Sequence, residues 1–197
     1  ESAMLWFRTL QEYLVKIGFA ATNTDHCIMI RGTDIIAIYV DDILILSQQP
    51  LKISAELQKR FKIKVLGRPT KLLGIEFEYD DTGAIRLHQT QYITDMLERF
   101  HMTALQVNRN GPISDSAYQL KINNTSQEEI PYRQAIGSLL YLARSTRPDI
   151  CFAVTLLASF SSGYDNEHWK HVIKIFRYLK RTVDQTVLYW VHGYALW

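Results

Sequence analysis

A strong charge of either sign is missing from this chain of 197 residues, in which 22 basic side chains face 20 acidic ones and leave a net charge of +2. So even a balance does not demand nucleic acid on charge alone, and any basic surface has to be local. Cysteine is nearly absent as well. Cys27 and Cys151 stand apart with no Cys-x-x-Cys spacing, which removes the basis for a zinc site or a disulfide framework and reads as two buried, reduced thiols. No apolar run approaches the roughly 20 residues that cross a bilayer. The longest, residues 150–160, is interrupted by Thr155 and Ser159, so no membrane partner is expected. There is no start methionine and no basic-then-apolar leader. The chain therefore reads as a fragment of an intracellular protein, cytoplasmic or nuclear and not secreted.

What is present is apolar substance, 47% of the residues, enough to fill the core of one large domain or two small ones. Its densest expression is Ile35-Ile36-Ala37-Ile38-Tyr39-Val40-Asp41-Asp42-Ile43-Leu44-Ile45-Leu46, two apolar runs that meet at adjacent carboxylates. The spacing predicts a β-hairpin with Asp41 and Asp42 at its turn, and the unbroken apolar flanks predict strands buried on both faces. Two unit charges roughly 5 Å apart repel by about 3 kcal/mol at an effective dielectric near 20. Such a turn favours either solvent, as Asp-rich turns commonly do, or a divalent cation such as magnesium, which takes one or two carboxylates together with substrate phosphates.

The rest of the chain divides by period. Leu5, Trp6, Leu10, Tyr13, Leu14 and Ile17 recur at helical spacing and Gly18 follows as a stop. A strand is expected over 27–31, a turn over 32–34, a helix opening at Pro50 and a short strand over 63–66. Residues 71–79, the polar turn Asp80-Asp81-Thr82-Gly83 and residues 84–88 predict a second hairpin, in which Gly74 taken by itself marks a bulge. After His88 the pattern turns helical, so a boundary is expected near Gln89. A polar connection follows over 108–124, and then helices open at Tyr132, at Pro148 and near Asn166. On the last of these Lys170, Lys174, Arg177 and Arg181 are spaced to share one face, opposite Val172, Phe176 and Leu179. A face of four cations is either merely solvated or a contact for phosphates.

Tyr39-Val40-Asp41-Asp42 resembles the Tyr-x-Asp-Asp signature of reverse transcriptases. Further landmarks follow in order: Leu73-Gly74-Ile75, Leu97-Glu98-Arg99-Phe100, the run from Tyr132 to Leu142, Thr146-Arg147-Pro148-Asp149-Ile150, His168-Trp169-Lys170 and Arg177-Tyr178-Leu179-Lys180. Together they are similar to copia-type retrotransposon reverse transcriptases. Glu1-Ser2-Ala3-Met4-Leu5-Trp6 is similar to that family's Gln-Ser-Gly-Arg-Leu-Trp, with Glu1 and Met4 departing from it. The resemblance implies an α+β fold: a partial palm of antiparallel hairpins and helices over 1–88, then an α-helical thumb over 89–197 that leads toward a ribonuclease H domain.

It further implies an RNA-directed DNA polymerase, fragment of a Pol polyprotein, in which Asp41 and Asp42 are catalytic and bind metal. Two magnesium ions serve in the intact family, with manganese as a substitute. Tyr39, Val40, Leu73, Gly74 and Ile75 would lie near the primer, Glu1 and Ser2 by the nucleotide and template pocket, and Lys170, Lys174, Arg177 and Arg181 on the nucleic-acid backbone. The implied partners are an RNA or DNA template with its primer, deoxynucleoside triphosphates, and the fingers and ribonuclease H parts of the polyprotein. The family's first catalytic aspartate lies on a palm strand upstream of Glu1, so the isolated chain is expected to be inactive. The rival expectation is a non-catalytic nucleic-acid-binding or relic transposon-derived protein.

Overall fold

The computed structural model describes residues 2–107, 110–123, 130–190 and 195–196. The chain forms two units, residues 1–70 with 190–197 and residues 71–189.

In the first unit, α1 (Ser2–Lys16) presents Leu10 and Leu14 to the core at zero exposure. It stops where expected. Gly18 takes φ +95° while the Phe19 amide reaches back to the Leu14 carbonyl at 2.9 Å, a Schellman closure that a left-handed glycine permits. The sheet then builds in antiparallel steps from β1 (Ala20–Ala21) through β2 (Ile28–Arg31) and β3 (Asp34–Tyr39) to β4 (Asp42–Ser47). α2 (Pro50–Gln58) follows with its proline in the first turn, and packs Ile53 and Leu57 with Met29, Ile36, Ile38 and Ile45 in one core. Arg31 ties β2 to α2 through Glu56 at 2.7 Å.

Two expectations fail in this unit. Burial in β3 and β4 alternates, with Ile36, Ile38 and Ile45 buried while Ile35, Ala37, Leu44 and Leu46 are only partly covered. The helices close one face of the sheet, and a run of isoleucines cannot reveal which faces will be covered. Nor is there a strand over 63–66. Phe61 and Ile63 pack on the core while Lys62 and Lys64 point outward, so the segment is anchored by side chains without a ladder among the described residues.

The second unit opens with β5 (Lys71–Leu72), β6 (Ile75–Tyr79) and β7 (Ala84–His88), and a distant strand, β8 (Val187–Trp190), completes the sheet in the order β5-β6-β7-β8. By packing, therefore, the chain divides earlier than the change of pattern at Gln89. The expected hairpin is present, with its turn held by the Asp80 carboxylate, which accepts from Thr82 and from the Ala84 amide. Residues 71–79, however, are two strands joined by a tight turn at Leu73-Gly74 and not one strand with a bulge.

Helices α3 (Thr90–Arg99), α4 (Tyr132–Ser145), α5 (Cys151–Ala158) and α6 (Asn166–Arg181) follow. They bury Ile93, Met96, Leu139, Leu142, Val154, Leu157, Val172 and Phe176 in a single core. Asp165 caps α6 by accepting from the Glu167 and His168 amides. The amide of Asn123 and the imidazole of His168, both hydrogen-bonded to that carboxylate, hold it well below the usual range. Cys151 is exposed and Cys27 half-buried, so neither thiol is the core residue expected.

The last described piece, β9 (Ala195–Leu196), returns to the first unit and pairs with β4 at Leu46 and Ser47. Among the described residues no helix is long and apolar enough to cross a membrane.

Candidate functional site

β3 and β4 pair from Ile35 with Leu46 up to Tyr39 with Asp42, which leaves Val40 and Asp41 as a two-residue loop. Asp42 is therefore the first residue of β4, one step outside the loop that holds Asp41. Val40 sits at φ +52° and is the only one of the two loop residues with positive φ, the pattern of a type II′ turn, where glycine normally stands first. A β-branched residue in that region is strained, by about 1–3 kcal/mol. The Trp6 indole N–H donates to the Val40 carbonyl at 2.9 Å. Tyr39, Val40, Asp41 and Asp42 are all exposed. Among the described residues neither carboxylate is held by a side-chain hydrogen bond or an ion pair, in contrast to Asp80, whose oxygens are consumed by its own turn.

These two carboxylates suit a hard cation. Magnesium takes oxygen ligands and typically accepts one or two carboxylates, filling its remaining positions with water and phosphate. No group of three or more His, Cys, Asp or Glu side chains converges to hold a metal among the described residues, so the hairpin supplies a pair and no more.

The second turn repeats the design. Leu72 pairs with Ile75, leaving Leu73 and Gly74 as the loop, both at positive φ (+51° and +75°), the pattern of a type I′ turn. Leu73 is 46% exposed and its carbonyl accepts from the Tyr141 hydroxyl. A Cβ on Gly74 would stand 3.2 Å from that same hydroxyl, a tight contact that adds to the conformational preference for glycine at φ +75°. Ile75 is half-buried at the start of β6.

On α6 the four cations share the face opposite Val172, Phe176 and Leu179, which are fully buried. Lys170 pairs with Glu167 at 2.5 Å, and Arg181 lies over the Tyr178 ring at 5.4 Å. An exposed pair of this kind is worth little and leaves Lys170 free to exchange partners. Glu1 lies outside the described residues, and of Ser2 only the backbone is described.

A family profile described as "Reverse transcriptase (RNA-dependent DNA polymerase)" matches residues 1–113, more than half of the chain. The chain belongs to the reverse transcriptase family. It is 30% identical to the retrovirus-related Pol polyprotein from transposon TNT 1-94 of Nicotiana tabacum, over 93% of this chain and 15% of that protein. It is 34% identical to the corresponding polyprotein from transposon RE1 of Arabidopsis thaliana, over 92% of this chain and 13% of that protein. A transposon Ty5-1 protein of Saccharomyces cerevisiae is 28% identical, over 96% of this chain and 64% of its own length. The expected resemblance to copia-type reverse transcriptases is borne out, and the chain spans less than two thirds of each of these relatives. No solved structure matches it.

Two features of this reverse transcriptase chain escape a reading of its sequence, and a third does not. Trp6 reads as one more apolar position of α1, and only the fold brings its N–H to the carboxylate turn. Arg147 reads as the residue before a helix-opening proline, yet its guanidinium is buried, forked onto both oxygens of Asp149 at 3.0 and 2.7 Å and bonded to the Thr182 carbonyl and hydroxyl. The third was visible in composition. Residues 59–71 hold Lys59, Arg60, Lys62, Lys64, Arg68 and Lys71 with no carboxylate among them, and all six are exposed. This run is where the small excess of positive charge concentrates.

Proposed function

We propose that the first unit is the part of a polymerase palm that carries metal-binding carboxylates, and that the helices of the second unit are its thumb, within a copia-type RNA-directed DNA polymerase. One observation carries the reading: a strained two-residue turn on a packed sheet presents two adjacent, exposed carboxylates with no protein partner among the described residues. Asp41 and Asp42 would hold the catalytic magnesium or manganese. When bound, such an ion activates the primer hydroxyl and stabilises the departing pyrophosphate.

The chain's own residues do the rest by position and charge. Tyr39 and Val40 offer exposed apolar surface beside the carboxylates, suited to a primer end, and the Leu73-Gly74 turn before Ile75 offers the exposed side chain of Leu73 as a second such surface. Lys170, Lys174, Arg177 and Arg181, with the basic run over 59–71, suit phosphate contacts, which contribute affinity without sequence preference. The nucleoside triphosphates, the template with its primer and the other polyprotein domains are partners of this reading.

A non-catalytic nucleic-acid-binding relic is the second reading, favoured by the fact that only two carboxylates gather at the hairpin among the described residues. Both readings share the cationic face, and its test is direct. Replacing Lys170, Lys174, Arg177 and Arg181 with Gln should weaken binding to a labelled primer-template and reduce the slope of log affinity against log salt by about 3–4, near 0.9 for each lost contact. An unchanged slope would take α6 out of the contact surface.

A further inference from the structure

The carboxylate turn and the Leu73-Gly74 turn share a construction that neither shares with the Asp80 turn. Each is a two-residue hairpin loop whose first residue is a large apolar side chain at positive φ, +52° for Val40 and +51° for Leu73. In each, the carbonyl of that residue accepts a hydrogen bond from an aromatic side chain on a helix: the Trp6 indole from α1 and the Tyr141 hydroxyl from α4. That carbonyl belongs to the central peptide of the turn, the one that flips between I′ and II′ forms, so a donor fixed against it selects one orientation.

The donors are themselves braced. Trp6 stands edge-on to Phe61 at 5.3 Å, and Phe61 edge-on to Tyr13 at 5.3 Å, while the Tyr13 hydroxyl donates to the Glu56 carbonyl at 2.8 Å. Tyr141 packs edge-on to Tyr92 at 5.0 Å, and the Tyr92 hydroxyl donates to the Ser138 carbonyl. A half-buried indole N–H or phenol O–H seeks a polar partner, and here each finds it on a peptide that no Cβ-bearing residue holds readily.

We propose that Trp6 and Tyr141 are positioning residues, pins that keep the two exposed turns in conformations their own residues disfavour. By this account Trp6 fixes where Asp41 and Asp42 stand toward a metal ion, and it rests on the metal-site reading only for that consequence. The pin itself is a statement about the turn. Trp6→Phe keeps an aromatic ring beside Phe61 and removes the donor together with part of the indole's volume, and Val40→Gly removes the need for the donor, because glycine accepts positive φ without penalty.

In the 15N-labelled chain, the amide of Asp41 lies on the central peptide and reports its orientation, while line broadening of Asp41 and Asp42 by Mn2+ reports metal affinity. Trp6→Phe should move the Asp41 amide resonance, speed its hydrogen exchange and weaken Mn2+ binding by about tenfold, the lower end of what losing a supporting hydrogen bond costs a metal site. In the Val40→Gly background the same Trp6→Phe change should be silent on all three readouts. Tyr141→Phe should act alike on the Gly74 amide. Additive effects of Trp6→Phe and Val40→Gly, or an Asp41 amide indifferent to Trp6→Phe, would overturn the pin. If the unmodified chain shows no broadening at Asp41 and Asp42, the metal reading fails, and the Asp41 amide and its exchange still decide the pin.

Discussion

Residues 1–197 alone should give no detectable primer extension, and extension that depends on magnesium should appear when the upstream palm and fingers of a Pol polyprotein are fused before them and disappear again on Asp41→Asn. The reasoning is a matter of ligand supply. A two-metal site needs enough oxygen donors to hold both ions, and one turn with two carboxylates leaves an ion under-coordinated. Each tenfold of rate corresponds to about 1.36 kcal/mol of barrier, so a few kcal/mol of lost charge stabilisation removes several orders of magnitude. Asparagine keeps the size and turn preference of aspartate while removing the charge, so the fold of the hairpin should survive in the inactive variant. Primer extension on a labelled template settles it. Efficient synthesis by the bare chain would sink the ligand-supply argument, and a fused protein unaffected by Asp41→Asn would remove the hairpin from catalysis.

The largest stability effect is expected at the buried fork of Arg147. Asp149→Ala should cost the second unit about 3–5 kcal/mol, because it leaves a buried guanidinium with only the Thr182 oxygens to answer it. Burial acts to raise the Asp149 carboxyl, but the hydrogen bonds from Arg147 and Tyr178 outweigh it and hold the group below its ordinary value, so the pair is ionised near neutrality. Arg147→Met should cost less, since methionine refills much of the volume and the Asp149 side chain, 32% exposed, can turn to water. Urea unfolding followed by near-ultraviolet signals measures both. If Arg147→Met proved the worse of the two, packing of the long side chain and not the stranded charge would be the source of stability.

The parts of this chain legible in the sequence are those encoded by neighbours. Two apolar runs around Asp41 and Asp42 announce a hairpin, Gly18 a helix end, and the spacing from Lys170 to Arg181 a cationic face. The parts that were not legible depend on what the fold brings together later. Continuous isoleucine reads as doubly buried, yet α1 and α2 cover only one face of the sheet. Leu73-Gly74 is a turn and not a bulge, and its carbonyl partner Tyr141 is distant in sequence. Arg147 carries no local sign that its charge is interred. The carboxylate pair was visible in the sequence, and the Trp6 hydrogen bond to its turn was not.

The outer edge of β4 is paired over only part of its length among the described residues. β9 covers it only at Leu46 and Ser47, so Asp42, Ile43 and Leu44 face no further strand among the described residues. Unpaired backbone beside apolar side chains is a template for another strand, and here no lysine, proline or bulge blunts it. In a solution of the chain alone such an edge is an invitation to self-association. Sedimentation velocity should find species larger than the monomer growing with concentration, and Leu44→Lys should suppress them. A chain that stays monomeric at high concentration would mean that the edge is closed by other means.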